Sequence, residues 1–213
     1  MINQQSHKAL ITVMVFAKAP VAGEVKTRLG NDLGMRQAAT IYRKLLFHSL
    51  KKLSDSNIFR IELWCYPTTR HPFFLECARV FNLSLRKQQG SDLGLRMLHA
   101  FKASLYRDEF ALLMGSDIPS IKISDIERVY QYMQANSDVV IIPTCDGGYG
   151  LIAMKNPHPE IFRNMQWSTA SVLDQTLLRI NRKKLICQLL PAKHDIDTKA
   201  DYIAYRRRLK CLT

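Results

Sequence analysis

Acidic side chains are scarce in this chain: 18 aspartates and glutamates stand against 31 lysines and arginines, a formal charge of +13. Such a surplus favours anionic partners, whether nucleotide phosphates, nucleic acid or an acidic membrane surface. Cysteine is thinly spread. Cys65, Cys77, Cys145, Cys187 and Cys211 are odd in number and include no Cys-x-x-Cys pair. That argues against a disulfide framework and a structural zinc site, and fits a reducing compartment, hence a cytoplasmic location. The Gly-x-x-x-x-Gly-Lys-Ser/Thr spacing of a P-loop is missing. So is any apolar run of the roughly 20 residues that a membrane span requires. Residues 8–19 imitate the start of a signal peptide, but their β-branched content and the charged loop behind them read as a first strand. Internal repeats, low-complexity tracts and linkers are absent too. At 213 residues the chain is expected to form one domain, 1–213, with residues 1–7 loose.

What is present is an ordinary globular composition, 47% hydrophobic, with strand and helix patterns alternating along the chain. Strands are predicted over 8–17, 58–66, 83–85, 110–115, 137–143 and 185–190. The second of these is read as alternating, with Arg60 and Glu62 on the face opposite Phe59, Ile61 and Leu63. Helices are predicted over 38–53 and 73–81, from near Asp92 to Leu105, over 124–135, and up to Leu178. Ser124 and Glu127 are read as a capping box, and Ser168 and Thr169 as N-cap candidates for the helix that runs to Leu178. A terminal helix ends in Arg206-Arg207-Arg208. Strands alternating with helices indicate an α/β fold built on a mixed, mainly parallel sheet flanked by helices.

Three loops carry candidate chemistry. Residues 110–114 form an apolar run suited to a strand buried on both faces, which stops at Gly115-Ser116-Asp117 because Pro119 prevents its continuation. Ligands of open α/β sheets bind beyond such strand ends. Asp117 therefore serves either as a cation ligand or as a turn cap. Residues 18–29 follow the first strand with Pro20 and Gly23 as punctuation and Lys18, Lys26 and Arg28 as cations. They suit a diphosphate, since arginine offers a planar fork and lysine a point charge, or form a solvated basic loop. Asp146-Gly147-Gly148-Tyr149 reads as a tight hairpin turn or as a place of close ligand approach. Cys145, beside it, has no histidine near in sequence.

Taken in order, these segments carry a resemblance. Phe16-Ala17-Lys18-Ala19-Pro20 with Gly23 and Lys26-Thr27-Arg28-Leu29 is similar to the opening signature of the DUF2064 family, proposed glycosyltransferases related to the GT-A fold and to MobA-like nucleotidyltransferases. The similarity continues through residues 89–97, Met114-Gly115-Ser116-Asp117-Ile118-Pro119, Asp146-Gly147-Gly148-Tyr149, Trp167-Ser168-Thr169, and Asp195-Ile196-Asp197-Thr198 with Asp201. The chain departs from the family pattern at Leu95, usually acidic, at Ser116 and Ile118, commonly Thr and Cys, and at Gly150, often bulky. Leu95 and Gly150 are expected to alter substrate choice or weaken activity.

The resemblance implies a nucleotide-sugar or nucleoside triphosphate substrate, a small-molecule acceptor, and Mg²⁺ or Mn²⁺ held by Asp117 with support from Asp195 and Asp197. One of these two is alternatively an N-cap of the terminal helix. Lys18, Lys26 and Arg28, with Gly23 in the same loop, would bind the phosphates. Asp146 would orient an acceptor or act as base. Asp92, Arg96, Gly147, Gly148, Tyr149 and Trp167 complete the implied substrate contacts. Sugar transfer is the leading expectation and nucleotidyl transfer with pyrophosphate release the alternative. A basic nucleic-acid-binding module is the reading of another class, disfavoured because no such motif is present.

Overall fold

A computed structural model describes residues 11–210. The expected loose segment 1–7, and residues 8–10 of the expected first strand, lie outside the described residues.

The strands are β1 (Ile11–Lys18), β2 (Phe59–Tyr66), β3 (Ser84–Lys87), β4 (Ala111–Gly115), β5 (Val139–Pro143), β6 (Tyr149–Met154) and β7 (Cys187–Leu189). The helices are α1 (Thr27–Leu33), α2 (Met35–Asp55), α3 (Pro72–Phe81), α4 (Leu93–Leu105), α5 (Ile123–Gln134), α6 (Pro159–Phe162), α7 (Val172–Arg182) and α8 (Lys199–Lys210). The strands form one seven-stranded sheet in the order β3-β2-β1-β4-β6-β5-β7. All pairs are parallel except those of β6, which runs antiparallel to both β4 and β5.

Strand alternation sorts the core into two layers. Val13, Val15, Leu63, Leu112 and Met114 pack with Leu46, Leu50 and Leu53 of α2, Phe73 and Phe74 of α3, and Ile126 and Val129 of α5. Met14, Phe16, Trp64, Leu113 and Ile152 pack on the other face with Met97, Leu98 and Phe101 of α4 and Phe162 of α6. The central strands are apolar on both faces because helices cover both, the usual reason for such runs.

The ends of the helices depart from the sequence reading in instructive ways. Lys26–Leu29 was expected as loop, yet α1 begins at Thr27, with Lys26 at its N-cap in a left-handed conformation (φ 48°, ψ 46°). The helix assigned a Ser124 cap begins at Ile123, and Asp125 at its third position accepts from the Lys122 backbone N–H at 2.8 Å. Neither Ser168 nor Thr169 caps α7: the helix starts at Val172, while the Thr169 hydroxyl donates to the Gln166 carbonyl at 2.9 Å. The strand over β2 does not alternate in exposure, because Glu62 is buried at 1% exposure.

The order of the sheet fixes where a ligand can sit. The chain builds β1, β2 and β3 outward in one direction, then crosses back to place β4 on the other side of β1. Loops leaving the C-terminal ends of β1 and β4 therefore part in opposite directions and leave a crevice between them, the switch point at which ligands of open α/β sheets bind.

Candidate functional site

Two confluent cavities of about 580 and 520 Å³ open at that crevice and share Phe16, Arg28, Leu93, Gly115, Asp117, Ser168 and Asp197. The first lies over the loop after β1 and the ends of β2 and β4. The second extends toward the turn between β5 and β6.

Lys26 is the centre of the first lobe. Its side chain is 4% exposed, and its ammonium donates to Asp117 Oδ2 at 2.6 Å and to Asp197 Oδ1. Burial alone would lower its pKa, but the two carboxylates outweigh burial and hold it well above the ordinary lysine value. An ammonium has three donors, so one remains beyond the two ion pairs. The left-handed backbone at Lys26 costs about 1 kcal/mol for a side chain with a Cβ, and the paired carboxylates offset it. Asp117 and Asp197 are each about a third exposed, at 32% and 34% of their side chains. They are brought together by the loop before α8, whose Ile196 N–H donates to the Asp117 carbonyl at 3.3 Å.

The remaining cations are held more loosely. Arg28, 70% exposed, reaches Asp197 Oδ2 at 3.8 Å. Lys18 donates to the Glu24 carbonyl at 2.9 Å and lies 3.7 Å from its carboxylate. Arg96 lies with its guanidinium carbon 3.8 Å from the centroid of the Tyr66 ring, and its Nε donates to the Gly90 carbonyl at 3.0 Å. Four cations, Lys18, Lys26, Arg28 and Arg96, thus face three carboxylates, Glu24, Asp117 and Asp197, in this lobe. Gly23 does not line it; its φ of 84° marks a turn that only glycine makes without strain.

In the second lobe Asp146 is fixed by its own turn. Its Oδ1 accepts from the Thr144 hydroxyl at 2.6 Å and from the Gly148 N–H at 3.1 Å, and among the described residues it forms no hydrogen bond through Oδ2. The hairpin reading of Asp146–Tyr149 holds, since the segment joins β5 to β6, and Asp146, Gly148 and Tyr149 line the lobe. Gly147 has φ 87°, and a Cβ there would run into the Ala170 carbonyl. The turn can therefore lie flush against 166–171, which brings Trp167 and Ser168 to the cavity. Tyr149 has its hydroxyl buried, and burial raises its pKa.

The three expected metal aspartates divide. Asp117 and Asp197 converge on one ammonium, but among the described residues no three of His, Cys, Asp and Glu form a group able to hold a metal ion. Asp195 lines the second lobe instead. Half-burial, then the nearby Asp197 and Asp146 carboxylates, push its pKa up to about 6. A carboxyl whose folded pKa is raised contributes stability that is complete below its unfolded value, near 3.8, and lost as pH rises through about 6. Asp195→Asn removes that titration. Its melting temperature is expected to gain on that of the parent as pH climbs from about 4 to 7, read by calorimetry across a buffer series. Neither Asp195 nor Asp197 caps α8. Asp201 accepts from the Thr198 N–H at 2.8 Å while the Thr198 hydroxyl accepts from the Asp201 N–H, a capping box of their own.

Asp92 caps α4, accepting from the Leu95 N–H at 2.9 Å, and lines neither lobe; nor does Leu95. The Gly150 departure has a packing cause. A Cβ at 150 would collide with Ile118 Cδ1, so the side chain at 118 occupies the space that a side chain at 150 would need. Gly150→Leu is expected to lose about 1–3 kcal/mol by overpacking. Adding Ile118→Ala should recover most of it, as a double-mutant cycle of denaturation midpoints would show.

Two residues escaped sequence reading. Tyr42 of α2 was placed only on an apolar face, yet its hydroxyl accepts from the Lys18 N–H at 3.0 Å and bonds Ser116 Oγ at 2.9 Å, tying the β1 and β4 loops together. Gln88 donates from its amide to the Trp64 and Ala17 carbonyls at 2.8 and 3.3 Å and so closes the lobe between β2 and β1. A tyrosine on an otherwise aliphatic helix face is the one available signal, since buried tyrosines need a partner for the hydroxyl.

Comparison with known proteins agrees with this fold. The profile of a family described as an uncharacterized protein conserved in bacteria (DUF2064) matches residues 49–169. A solved structure from Desulfovibrio desulfuricans G20, provisionally named a nucleotide-diphospho-sugar transferase, is 32% identical, with a TM-score of 0.82 over 92% of this chain and 86% of that one. The same fold recurs at lower identity. A 4-diphosphocytidyl-2C-methyl-D-erythritol synthase from Anaerococcus prevotii is 12% identical, with a TM-score of 0.63 over 94% of this chain and 98% of that one. A nucleotidyl transferase from Methanothermobacter is 13% identical, with a TM-score of 0.63 over 96% and 100%.

Proposed function

This chain belongs to the DUF2064 family, and on that footing we propose that it is a metal-dependent transferase that moves a sugar from a nucleotide-sugar donor to a small-molecule acceptor. The observation that carries the reading is the Lys26 ammonium set between Asp117 and Asp197 at the switch point of the sheet. The name given to the 32% identical relative supports the same donor class.

The donor diphosphate lies in the first lobe, against the third N–H of Lys26 and the guanidinium of Arg28. The Lys26 ammonium is buried, and a buried ammonium contributes more to anion binding than an exposed one. Arg96 and Gln88 bound the far side of the lobe. The acceptor enters the second lobe, where Asp146 offers its unengaged Oδ2 to the acceptor hydroxyl. As the new glycosidic bond forms, that hydroxyl proton passes to the carboxylate and the nucleoside diphosphate departs toward Lys26 and Arg28. Trp167 and Tyr149 wall the lobe and limit water there.

The donor set fits Mg²⁺ or Mn²⁺. Asp117 and Asp197 supply only oxygen, and two carboxylates with substrate phosphates are how such small hard cations are ordinarily held. When bound, the cation would neutralise charge on the diphosphate. The chain's own residues contribute the rest: Tyr42 and Ser116 set the position of the Asp117 loop, and Lys26 holds the two carboxylates in register.

The test is turnover with Mn²⁺ and a panel of sugar nucleotides and nucleoside triphosphates, each with phosphorylated and unphosphorylated sugar acceptors. Consumption of a sugar nucleotide with release of nucleoside diphosphate is expected. Pyrophosphate release from a triphosphate would replace sugar transfer with nucleotidyl transfer, and turnover of neither class would overturn the proposal.

A further inference from the structure

A buried carboxylate outside the cleft has no part in the chemistry above. Glu62 of β2 lies 1% exposed and accepts three hydrogen bonds: from Trp64 Nε1 at 3.1 Å, Arg107 Nη2 at 2.8 Å and Arg86 Nη2 at 3.4 Å. Burying a carboxylate is expensive, and an apolar residue on this strand would serve the core better. What Glu62 achieves is positional. It fixes two guanidiniums, one from the edge strand β3 and one from the turn after α4, each through a single N–H. A guanidinium has five, so most of the donors on both remain.

Those donors border a cavity of about 590 Å³ on the far side of the 88–89 segment from the nucleotide cleft. Arg86, Lys87 and Arg107 line it with Thr69, Gln89 and His99, and no acidic residue does. Glu62 sits behind the arginines rather than in the opening. Lys87 makes no ion pair among the described residues. Three cations therefore face one concavity. Two of them have given up rotamer freedom before any ligand arrives, which is the usual route to tight binding without extra contacts. Arginine forks held in this way match phosphate oxygens in particular.

We propose that this cavity is a second anion site that takes a phosphorylated small molecule, independent of the nucleotide cleft. Neutralising Glu62 alone would need no third cation and no open cavity. The occupant is recognised by its phosphate, gripped by Arg86 and Arg107 with Lys87 at the rim, while the hydroxyl of Thr69 and the amide of Gln89 are placed to bond its polar remainder.

The sequence contains two tryptophans, and Trp64 lines this cavity while Trp167 lines the cleft. Trp167→Phe thus leaves Trp64 as the sole indole reporter. Titrating that variant with inorganic pyrophosphate is expected to change Trp64 emission saturably. Adding Arg86→Met and Lys87→Met should weaken the response at least about tenfold, the loss of one charge-assisted hydrogen bond. Arg107 and Trp64 stay to partner Glu62, so the fold is kept, and a cooperative melting transition with only a small fall in melting temperature checks this. Adding Lys26→Met instead should leave the response intact. Two results overturn the proposal: no saturable change at millimolar pyrophosphate, or a change that survives loss of Arg86 and Lys87 but disappears with Lys26→Met. Because Lys26 belongs only to the cleft, failure here is distinguishable from failure of the transferase reading.

Discussion

Lys26→Met should lower the melting temperature by roughly 10 °C in the presence of a chelator, and Mn²⁺ should recover much of that loss. Removing one member of a buried ion pair costs about 3 kcal/mol because its partners keep their charge. In a chain of this length each kcal/mol shifts melting by about 2–4 °C. Both carboxylates are about a third exposed, so water screens part of the cost, which places it at about 3 kcal/mol within a range of about 3–5 kcal/mol. Methionine preserves the aliphatic stem, which isolates the charge. A divalent cation then supplies positive charge to the carboxylates that Lys26 has left, so Mn²⁺ should stabilise the variant more than the parent. Turnover should fall by about 10²–10³, the usual consequence of deleting one electrostatic contact to a developing anion. Calorimetry with chelator and with Mn²⁺ reads the first part. An unchanged melting temperature in chelator would mean that the ion pairs contribute nothing.

Asp117→Asn should abolish most turnover, by about 10²–10³-fold, while leaving the fold in place. The substitution is isosteric, and the backbone bond from Ile196 to the Asp117 carbonyl does not depend on the side chain. Lys26 keeps Asp197 as partner, so the stability loss should be smaller than in Lys26→Met. Melting temperature and rate should therefore separate: Lys26→Met loses both, and Asp117→Asn loses chiefly rate. A cap or turn role for Asp117 would give the opposite pattern, with stability lost and rate retained.

How much of this was legible depends on how far each residue's role reaches. Asp117 and Lys26 could be found because a strand that ends at glycine and a loop punctuated by Pro20 and Gly23 are local signals. The partnership of Lys26 with Asp197 joins positions 171 apart in sequence, and no periodicity reports it. Helix α1 was missed because Pro20, Gly23 and the cations around them make residues 18–29 resemble loop. It is held by Leu29, which packs against Ala38, Ile41 and Leu45 of α2 and Ile196. Alternation along this strand groups Glu62 with Arg60 on the face opposite Phe59, Ile61 and Leu63. The structure buries it because Arg86 and Arg107 arrive from elsewhere in the fold to satisfy it. The caps shifted for a related reason. Ser124, Ser168 and Thr169 have the right chemistry, but which residue starts a helix was decided by how the preceding loop packs. Gly150 could not be interpreted alone, and becomes intelligible only with Ile118 above it.

The most direct measurement is Mn²⁺ binding by electron paramagnetic resonance, with the metal titrated alone and with each of UDP and GDP. The expected result is one Mn²⁺ per parent chain, bound more tightly when a nucleoside diphosphate is present, and at least about tenfold more weakly by Asp117→Asn. Equal Mn²⁺ binding by the parent and Asp117→Asn, with and without the diphosphates, would contradict the placement of metal and diphosphate at this strand end.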